Sequence, residues 1–287
     1  MQGLPERIAG RYRPVQDVAR GAMARVIEAV DERDGRTVAL KLLRPTGVQI
    51  DEELIKRFIR EAKACVALGG HPGIVKVYDA GLASEINTLY ISMELIRGQT
   101  LAERVNRGLD RDEAVRLIEG VARAVSFAHE KGVIHRDLKP DNIMIDEKGE
   151  PRLIDFGLVK ALDSGGTQLT KMGQVLGSPA YMSPEQITDA RLCNQRTDIY
   201  GLGVLLYFVL LGKPPFEGNA LDVLEHVMQG TYKSPREVDP TIDQALDAIV
   251  KWAMANEPDK RPPSAAAFAG ALALWRRKRA GGAEAKR

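Results

Sequence analysis

A short segment near the middle of the chain, residues 134–145, concentrates side chains that can hold a metal ion and phosphate. It reads IHRDLKPDNIMI, and within six residues it places Asp137, Lys139 and Asn142. Pro140 prevents a regular helix there, and Asp155 follows in RLIDFGLV at the end of an apolar run. Two carboxylates and an amide can bind a hard cation such as Mg²⁺, and a lysine can neutralise phosphate oxygens. The pattern predicts phosphoryl transfer.

A second pair of charged residues occupies positions where apolar side chains are expected. The segment 51–68 has the period of an amphipathic helix, and its apolar stripe consists of Leu54, Phe58, Cys65 and Leu68, with Glu61 completing it. A buried carboxylate needs a cationic partner. In the strand-like VALKLL, alternation puts Lys41 on one face with Ala39 and Leu43. Two alternatives remain open: Glu61 could reach solvent at the stripe's edge, and Lys41 could extend from a strand edge.

The elements that position these residues fall into two halves. From Tyr12 to about Leu95 the pattern is short-period, with the hairpin turn DERDG between two strand-like runs and one helix. After Arg97-Gly98 the pattern becomes helical, with amphipathic stretches from Thr100, at 110–130, near 197–211 and from 220 onward. The stretch 158–182 is rich in Gly, Ser and Thr and long for a connection, which indicates a functional loop.

Composition sets further limits. The net charge is +2, so bulk charge suggests neither nucleic-acid nor membrane binding. The two cysteines do not form a disulfide framework, which fits a reducing compartment. The apolar run at 201–212 is too short to span a bilayer and is typical of a buried helix, and the first residues lack the apolar core of a secretory leader. We expect a cytoplasmic chain without a membrane segment of its own; attachment through a segment outside this chain stays open.

In combination the motifs VALK, HRDLKPDN, DFG, YMSPE and DKRP resemble the eukaryotic-type Ser/Thr protein kinases of bacteria, over about residues 10–276. The resemblance implies an α+β bilobal fold, with a small, mainly antiparallel β lobe that has one helix and a larger, mainly α-helical lobe. The expected parts are an N-terminal extension 1–11, an N-lobe 12–94, a hinge 95–98, a C-lobe 99–276 and a basic flexible tail 277–287. The implied reaction moves the γ-phosphate of ATP to Ser/Thr hydroxyls of proteins.

The resemblance also implies individual roles in catalysis. Asp137 would orient and deprotonate the attacking hydroxyl, and Lys139, typical of the Ser/Thr-directed branch, would steady the γ-phosphate. Asn142 and Asp155 would ligate Mg²⁺, with Mn²⁺ as an alternative ion. Lys41 would hold the α- and β-phosphates and pair with Glu61.

Further roles concern the base, the framework and regulation. The adenine would be walled by Val18, Val26, Ala39 and Met144, with Met93 as gatekeeper and the hinge backbone at Glu94 and Leu95 bonding to the base. Glu185 would pair with Arg261 as a structural clamp, and Asp198 would brace the catalytic loop. Arg136 would receive a phosphorylated activation loop, where Thr170 is the first candidate for autophosphorylation and Thr167 the second, with self-association allowing phosphorylation in trans. Ser164 is a further loop hydroxyl, and Ser178 would contact Asp137.

One motif departs from the family pattern. The glycine-rich loop G-x-G-x-x-G-x-V corresponds here to ARGAMARV at 19–26, in which only Gly21 remains. Backbone N–H groups bind the phosphates, and alanine has them too, but alanine loses free access to positive φ at roughly 1 kcal/mol per unsuitable site. We expect a raised KM for ATP rather than a loss of turnover.

Two alternatives follow. A pseudokinase scaffold with weakened nucleotide binding has the glycine-poor loop as its one supporting feature. An antibiotic phosphotransferase shares the aspartate chemistry but lacks the APE-like segment and its long threonine-bearing loop. Mg²⁺-dependent γ-phosphate transfer separates the first from a protein kinase, and activity on an aminoglycoside but not on protein would identify the second.

Overall fold

The computed structural model describes residues 3–21, 24–43, 50–156 and 179–284. The described chain divides into two compact units, which meet in sequence between Arg97 and Gly98. Unit 1 contains the residues up to Arg97, and unit 2 contains 98–156 and 179–284. The division falls inside the segment 95–98 that the sequence marks as a hinge.

Unit 1 is built on one antiparallel sheet with the strand order β1-β2-β3-β5-β4. Its strands are β1 (Tyr12–Arg20), β2 (Ala24–Asp31), β3 (Arg36–Leu43), β4 (Val77–Ala83) and β5 (Thr88–Glu94). The DERDG segment joins β2 to β3 as predicted, and Gly35 closes the turn with a φ of 72° while its N–H donates to the Asp31 carbonyl at 2.8 Å. Glycine is suited to this position because positive φ costs it little.

Strand β3 is buried along both faces, which explains where its lysine lies. Val38, Leu40 and Leu42 belong to one core cluster, together with Tyr12, Ile27 and Tyr90. Lys41 belongs to the alternate set with Ala39 and Leu43, and all three are nearly inaccessible, Lys41 at 8%. The strand therefore holds Lys41 on a covered face rather than at an open sheet edge.

Helix α1 (Glu52–Val66) begins at Asp51, whose side chain accepts the Leu54 N–H at 2.8 Å. Its buried side chains are Leu54, Phe58, Ala62 and Cys65. The sequence predicts that Glu61 belongs to the buried stripe of this helix, and the structure corrects this prediction. Ala62 is the buried residue, at 2% exposure, and Glu61 lies half-buried beside it. Steps of three and four both fit a helical period, so spacing alone cannot choose between adjacent positions.

Residues 3–11, the described part of the expected N-terminal extension, pack onto the core of unit 1. Ile8 is fully buried in the core cluster that contains Tyr12, and Arg7 pairs with Glu32 at 2.6 Å. Arg11 forms ion pairs with Asp31 and Asp79.

Unit 2 combines a small sheet with helices. The sheet contains β6 (Gly98–Thr100), β7 (Ile143–Asp146) and β8 (Pro151–Leu153) in that order. The helices are α2 (Leu101–Asn106), α3 (Arg111–Glu130), α4 (Pro184–Thr188), α5 (Gln195–Leu211), α6 (Ala220–Gln229), α7 (Pro235–Val238), α8 (Gln244–Ala253) and α9 (Ala265–Glu284). The helical stretches expected from the sequence are present, and α5 buries residues 197–209, which include most of the apolar run at 201–212.

Two glycines let neighbouring elements approach α5. A Cβ on Gly203 would lie 2.7 Å from the Cβ of Ala253 on α8, too close for two carbon atoms. A Cβ on Gly201 would lie 3.0 Å from the Cβ of Leu138, in the segment that carries Asp137. The small residues therefore allow the catalytic segment to rest directly on α5.

The described residues of the expected tail 277–287 continue α9, which ends at Glu284. Arg276 pairs with Glu119 at 2.8 Å, and Arg279 pairs with Asp112 at 2.9 Å, both on α3. These ion pairs explain why the charged residues around 276–279 form part of a helix, although their composition is typical of a solvated tail. No helix in the described ranges combines the length and apolarity needed to cross a membrane.

Candidate active site

The carboxylate of Asp137 is held by two neighbours from its own segment. Lys139 places its Nζ 3.1 Å from Oδ2 of Asp137. The side-chain amide of Asn142 donates to the same Oδ2 at 2.9 Å and to the Asp137 carbonyl oxygen at 2.8 Å. The short turn Pro140–Asn142 makes this possible, because it brings Asn142 back over the residue five positions earlier. The result is an oriented carboxylate next to a fixed ammonium group.

Asp155 is tied to the same segment through its neighbours. The N–H of Ile154 donates to the Asn142 carbonyl at 2.9 Å, and the ring of Phe156 lies 4.7 Å from the ring of His135. Asp155 itself has a φ of 59°, a left-handed conformation that is rare for residues other than glycine. Unit 2 therefore gathers four of the predicted catalytic and metal residues: Asp137, Lys139, Asn142 and Asp155.

His135 was given no role in the sequence reasoning, yet it lies at the centre of this arrangement. Burial lowers the pKa of its imidazole, so the ring is neutral. Nε2 then donates to the Ile154 carbonyl at 3.3 Å, and Nδ1 accepts the Asp137 N–H at 3.3 Å. A neutral imidazole has one donor and one acceptor, and both are used. The signal in the sequence is the histidine of HRD, directly after the apolar residues Val133 and Ile134.

Asp198, at the start of α5, holds the backbone before Asp137. Its Oδ2 accepts the His135 N–H at 2.8 Å and lies 2.7 Å from Nε2 of His129, while its Oδ1 accepts the Arg136 N–H at 2.8 Å. Arg136 has a φ of 62°, which strains a residue with a Cβ. Two charge-assisted bonds to consecutive N–H groups support this strained turn.

Glu185 and Arg261 form a buried ion pair, although they lie 76 positions apart in the sequence. Arg261 donates from Nη1 to Oε1 at 2.7 Å and from Nη2 to Oε2 at 2.8 Å. Its remaining N–H groups donate to backbone carbonyls of Ala255, Arg196 and Asn256. Burial by itself would raise the pKa of Glu185, but the bonds from Arg261 outweigh it and the pKa is lowered. The pair joins the start of α4 to the segment before α9.

The residues expected at the nucleotide in unit 1 lie on the strands of the sheet. Lys41 stands opposite Val26 on β2, and Ala39 stands opposite Met93 on β5. Val18 is exposed at 52%, where a bulge interrupts the pairing of β1 with β2. At the end of β5, the Glu94 N–H donates to the Lys76 carbonyl at 2.8 Å, and Leu95, just beyond it, is half-buried. Met144 belongs to β7 of unit 2.

The hairpin between β1 and β2 changes the interpretation of its missing glycines. Ala19 lies within β1 and Ala24 begins β2, so both have extended backbone. Gly21 has no positive φ, its N–H donates to the Ala24 carbonyl at 2.8 Å, and an added Cβ would meet that oxygen at an ordinary 3.7 Å. The conformational penalty expected for alanine is therefore not present at these positions.

We accordingly expect the Ala19→Gly/Ala24→Gly variant to leave the KM for ATP unchanged or to raise it, against the expectation from the motif alone. Glycine in a strand interior is unfavourable by roughly 0.5–1 kcal/mol and adds no conformation that the hairpin uses. Initial rates at varied ATP concentration measure the effect. A KM several-fold lower than that of the native chain would show that glycine's closer approach to phosphate outweighs strand geometry.

Four hydroxyl residues named in the sequence analysis, Ser164, Thr167, Thr170 and Ser178, lie outside the described residues. Arg136, the expected receiver of a phosphate on Thr170 or Thr167, is described, and Asp198 accepts its backbone N–H.

Comparison with known proteins fits this arrangement. The family model for the protein kinase domain matches residues 12–270. The chain is 38% identical to the serine/threonine-protein kinase PrkC of Bacillus subtilis, with 90% of this chain and 39% of the relative covered. It is also 38% identical to the probable serine/threonine-protein kinase PknB of Bifidobacterium longum, with 92% and 40% covered. The chain thus spans about two fifths of the length of these relatives.

A solved structure supports the same assignment. The kinase domain of Mycobacterium tuberculosis PknI aligns with a TM-score of 0.73 at 25% sequence identity, covering 93% of this chain and 96% of that one. The family match extends over both units, including the strands around Lys41 and the segment around Asp137. The chain belongs to the protein kinase family.

Proposed function

We propose that this chain is a serine/threonine protein kinase, which transfers the γ-phosphate of ATP to serine or threonine hydroxyls of proteins. The observation that carries the proposal is the set of bonds that orients Asp137 between Lys139 and Asn142, within a chain of this family. Curated relatives that bear the name serine/threonine-protein kinase support the choice of acceptor.

In the proposed reaction, the substrate hydroxyl oxygen bonds to the γ-phosphorus while the bond from that phosphorus to the bridging oxygen breaks, leaving ADP. The hydroxyl proton passes to the carboxylate of Asp137. Lys139 neutralises charge on the transferred group, and its ammonium already lies 3.1 Å from Asp137. Such transfer depends mainly on positioning and on charge neutralisation, which these residues supply.

Magnesium fits the donor atoms that unit 2 provides. The Asn142 amide nitrogen donates to two oxygens of Asp137, which fixes the amide so that Oδ1 is its cation-binding atom. With a carboxylate oxygen from Asp155 this gives two hard oxygen ligands, the small protein share that Mg²⁺ usually takes beside substrate phosphates, and Mn²⁺ accepts the same donors. When bound, the ion would neutralise charge on the phosphates.

The residues of unit 1 would bind the nucleotide. Lys41 would contact the α- and β-phosphates and pair with Glu61. Met93 would limit the depth of the adenine site, and the hinge backbone at Glu94 and Leu95 would bond to the base. Because the Glu94 N–H donates to Lys76, the contact from Glu94 falls to its carbonyl oxygen. The apolar walls within unit 1 would come from Val18, Val26 and Ala39.

Regulation would act through Arg136, which precedes Asp137 directly. Phosphate on Thr170, or on Thr167, would form charge-assisted bonds with its guanidinium and order the loop 158–182. Two copies of the chain would phosphorylate each other if the reaction runs in trans, so its rate per molecule would rise with protein concentration. A Thr167→Ala/Thr170→Ala variant with undiminished activity on a second protein would exclude this switch.

The proposed function is tested by intact mass before and after incubation with ATP and Mg²⁺, with a generic acceptor protein in the same tube. We expect mass steps of one phosphate on the chain and phosphoserine or phosphothreonine in the acceptor. The Asp155→Asn variant serves as the matched blank. If the native chain leaves both proteins unchanged while still binding ATP, it is a nucleotide-binding scaffold. If it phosphorylates an aminoglycoside and no protein, it is a small-molecule kinase.

A further inference from the structure

Gln186, on the short helix α4, reaches the catalytic segment with its side chain. Its Nε2 donates to the carbonyl oxygen of Arg136 at 2.8 Å, a bond between residues fifty positions apart. Its Oε1 accepts the N–H of Ser183 at 3.1 Å. The orientation of the amide is therefore fixed, since one end faces a donor and the other an acceptor. Gln186 is 7% exposed, so water does not compete for these bonds.

The Arg136 carbonyl belongs to the peptide that joins Arg136 to Asp137. The N–H of this peptide donates to Nδ1 of His135 at 3.3 Å, so side chains hold both of its polar atoms. The preceding peptide is held by Asp198 through the Arg136 N–H. Arg136, strained at a φ of 62°, is thus fixed from both sides. Turning the second peptide changes ψ of Arg136 and φ of Asp137, and the second of these rotations moves the side chain of Asp137.

Glutamine rather than glutamate at position 186 indicates a role beyond capping α4. Ser183 and Gln186 form a capping box at the start of α4, and such a box needs only an acceptor at its fourth position. Two other helices of the chain use glutamate there, in the pairs Thr100–Glu103 and Ser234–Glu237. The second of these also begins with Ser-Pro. A carboxylate suits the positive end of a helix, so the cap does not explain an amide. The Arg136 carbonyl does, because it requires a donor.

We propose that Gln186 is a positioning residue for catalysis: it holds the Arg136–Asp137 peptide in the orientation that directs the Asp137 carboxylate. Because α4 begins just after residue 182, where the expected activation loop 158–182 ends, this bond also connects the end of that loop to the segment that carries Asp137. The inference rests on the proposed kinase activity, and it assigns a cause for the amide at this position.

The test compares Gln186→Glu with Gln186→Met. Gln186→Glu keeps the acceptor for the N–H and the hydroxyl of Ser183 but turns the bond to Arg136 into a contact between two acceptors. Gln186→Met removes all three of these bonds. Glu237→Gln is the matched control, since it makes the reverse exchange at the other Ser-Pro box. Ser183→Ala removes the hydroxyl that donates to Oε1 of Gln186 at 3.3 Å but keeps the Ser183 N–H and the bond to Arg136. For each protein, kcat per folded molecule and the KM for ATP are measured with a generic acceptor.

We expect both Gln186 variants to lose kcat by roughly tenfold to a hundredfold, the scale of a small displacement of a catalytic group, with the KM for ATP unchanged. Both controls should keep the native kcat. A native kcat in Gln186→Glu would overturn the inference. If neither Gln186 variant folds, the residue is structural and the inference is equally wrong.

A second measurement does not depend on activity. Hydrogen exchange of the backbone amides in 134–139 should be faster in both Gln186 variants than in the native chain, while exchange in α3 and α9 stays the same. Faster exchange throughout unit 2 would indicate general destabilisation and contradict a positioning role. If the native chain transfers no phosphate but the local exchange result holds, the proposed function fails and the positioning contact stands.

Discussion

Asp137→Asn is expected to lower kcat by about 100-fold to 10,000-fold, the range associated with removal of a general base, and to leave the KM for ATP nearly unchanged. Asparagine has almost the same shape and can still accept the bond from Asn142, which now reaches Oδ2 at 2.9 Å. It cannot take a proton from the attacking hydroxyl. Initial rates with a generic acceptor protein measure the loss, and Asp141→Asn, an exposed carboxylate in the adjoining turn, is the matched control expected to stay near the native rate.

A third variant separates the two tasks given to Asp137. Phosphoryl transfer passes through a loose transition state, so orientation of the hydroxyl contributes alongside proton acceptance. The amide introduced by Asp137→Asn could still orient a hydroxyl by hydrogen bonding, whereas the methyl group introduced by Asp137→Ala could not. Equal losses in the two variants would assign the effect to proton transfer; a clearly larger loss in Asp137→Ala would assign part of it to orientation. Native rates in both would contradict the proposed role of Asp137.

Much of the catalytic segment could be predicted because its residues are close in sequence. Asp137, Lys139 and Asn142 lie within one short loop, and the structure joins them by direct bonds. The hairpin at DERDG and the long helices were likewise predictable, since turn residues and hydrophobic period are local signals. These features need no knowledge of distant contacts.

The features that the sequence did not reveal depend on distant partners or on backbone geometry. Arg279 pairs with Asp112, 167 positions earlier, so the composition of the segment does not indicate that α9 continues to Glu284. Gln186 bonds to the carbonyl of Arg136, fifty positions earlier, and no local pattern of the sequence indicates this contact. The alanines of the phosphate loop suggested strain because the motif has glycine there, but strand geometry removes the need for positive φ.

Arg261→Met is expected to lower the free energy of unfolding of unit 2 by about 3–5 kcal/mol, because it leaves Glu185 as an unpaired buried charge. The Arg261 side chain is 0% exposed, and all of its N–H groups have partners. Both tryptophans of the chain, Trp252 and Trp275, belong to unit 2, so their fluorescence during urea unfolding reports on this unit.

Arg191→Met is the matched control. Arg191 also donates to a carboxylate, Asp189, at 2.7 Å, but its side chain is 88% exposed, so we expect a change below about 1 kcal/mol. The double variant Arg261→Met/Glu185→Gln should recover part of the loss, since no charge then stays unpaired. Equal losses of unfolding free energy in Arg261→Met and Arg191→Met would show that burial does not increase the contribution of the Glu185–Arg261 pair to stability.

Lowering the pH should narrow the difference in unfolding free energy between the native chain and Arg261→Met. In the native chain the pKa of Glu185 is lowered from its ordinary value of 4.5, so the stability this carboxylate contributes is present above that value and is lost as pH falls through the lowered pKa. In Arg261→Met burial, the largest influence on this carboxyl, is opposed only by the bonds from Thr197 and the backbone, so we expect its pKa to rise and protonation to remove the unpaired charge at a higher pH. The variant therefore regains unfolding free energy in mild acid, at a pH where Glu185 of the native chain is still ionised and paired with Arg261. A difference in unfolding free energy that stays constant from about pH 7 to about pH 4 would mean that the charge of Glu185 is not what Arg261 neutralises.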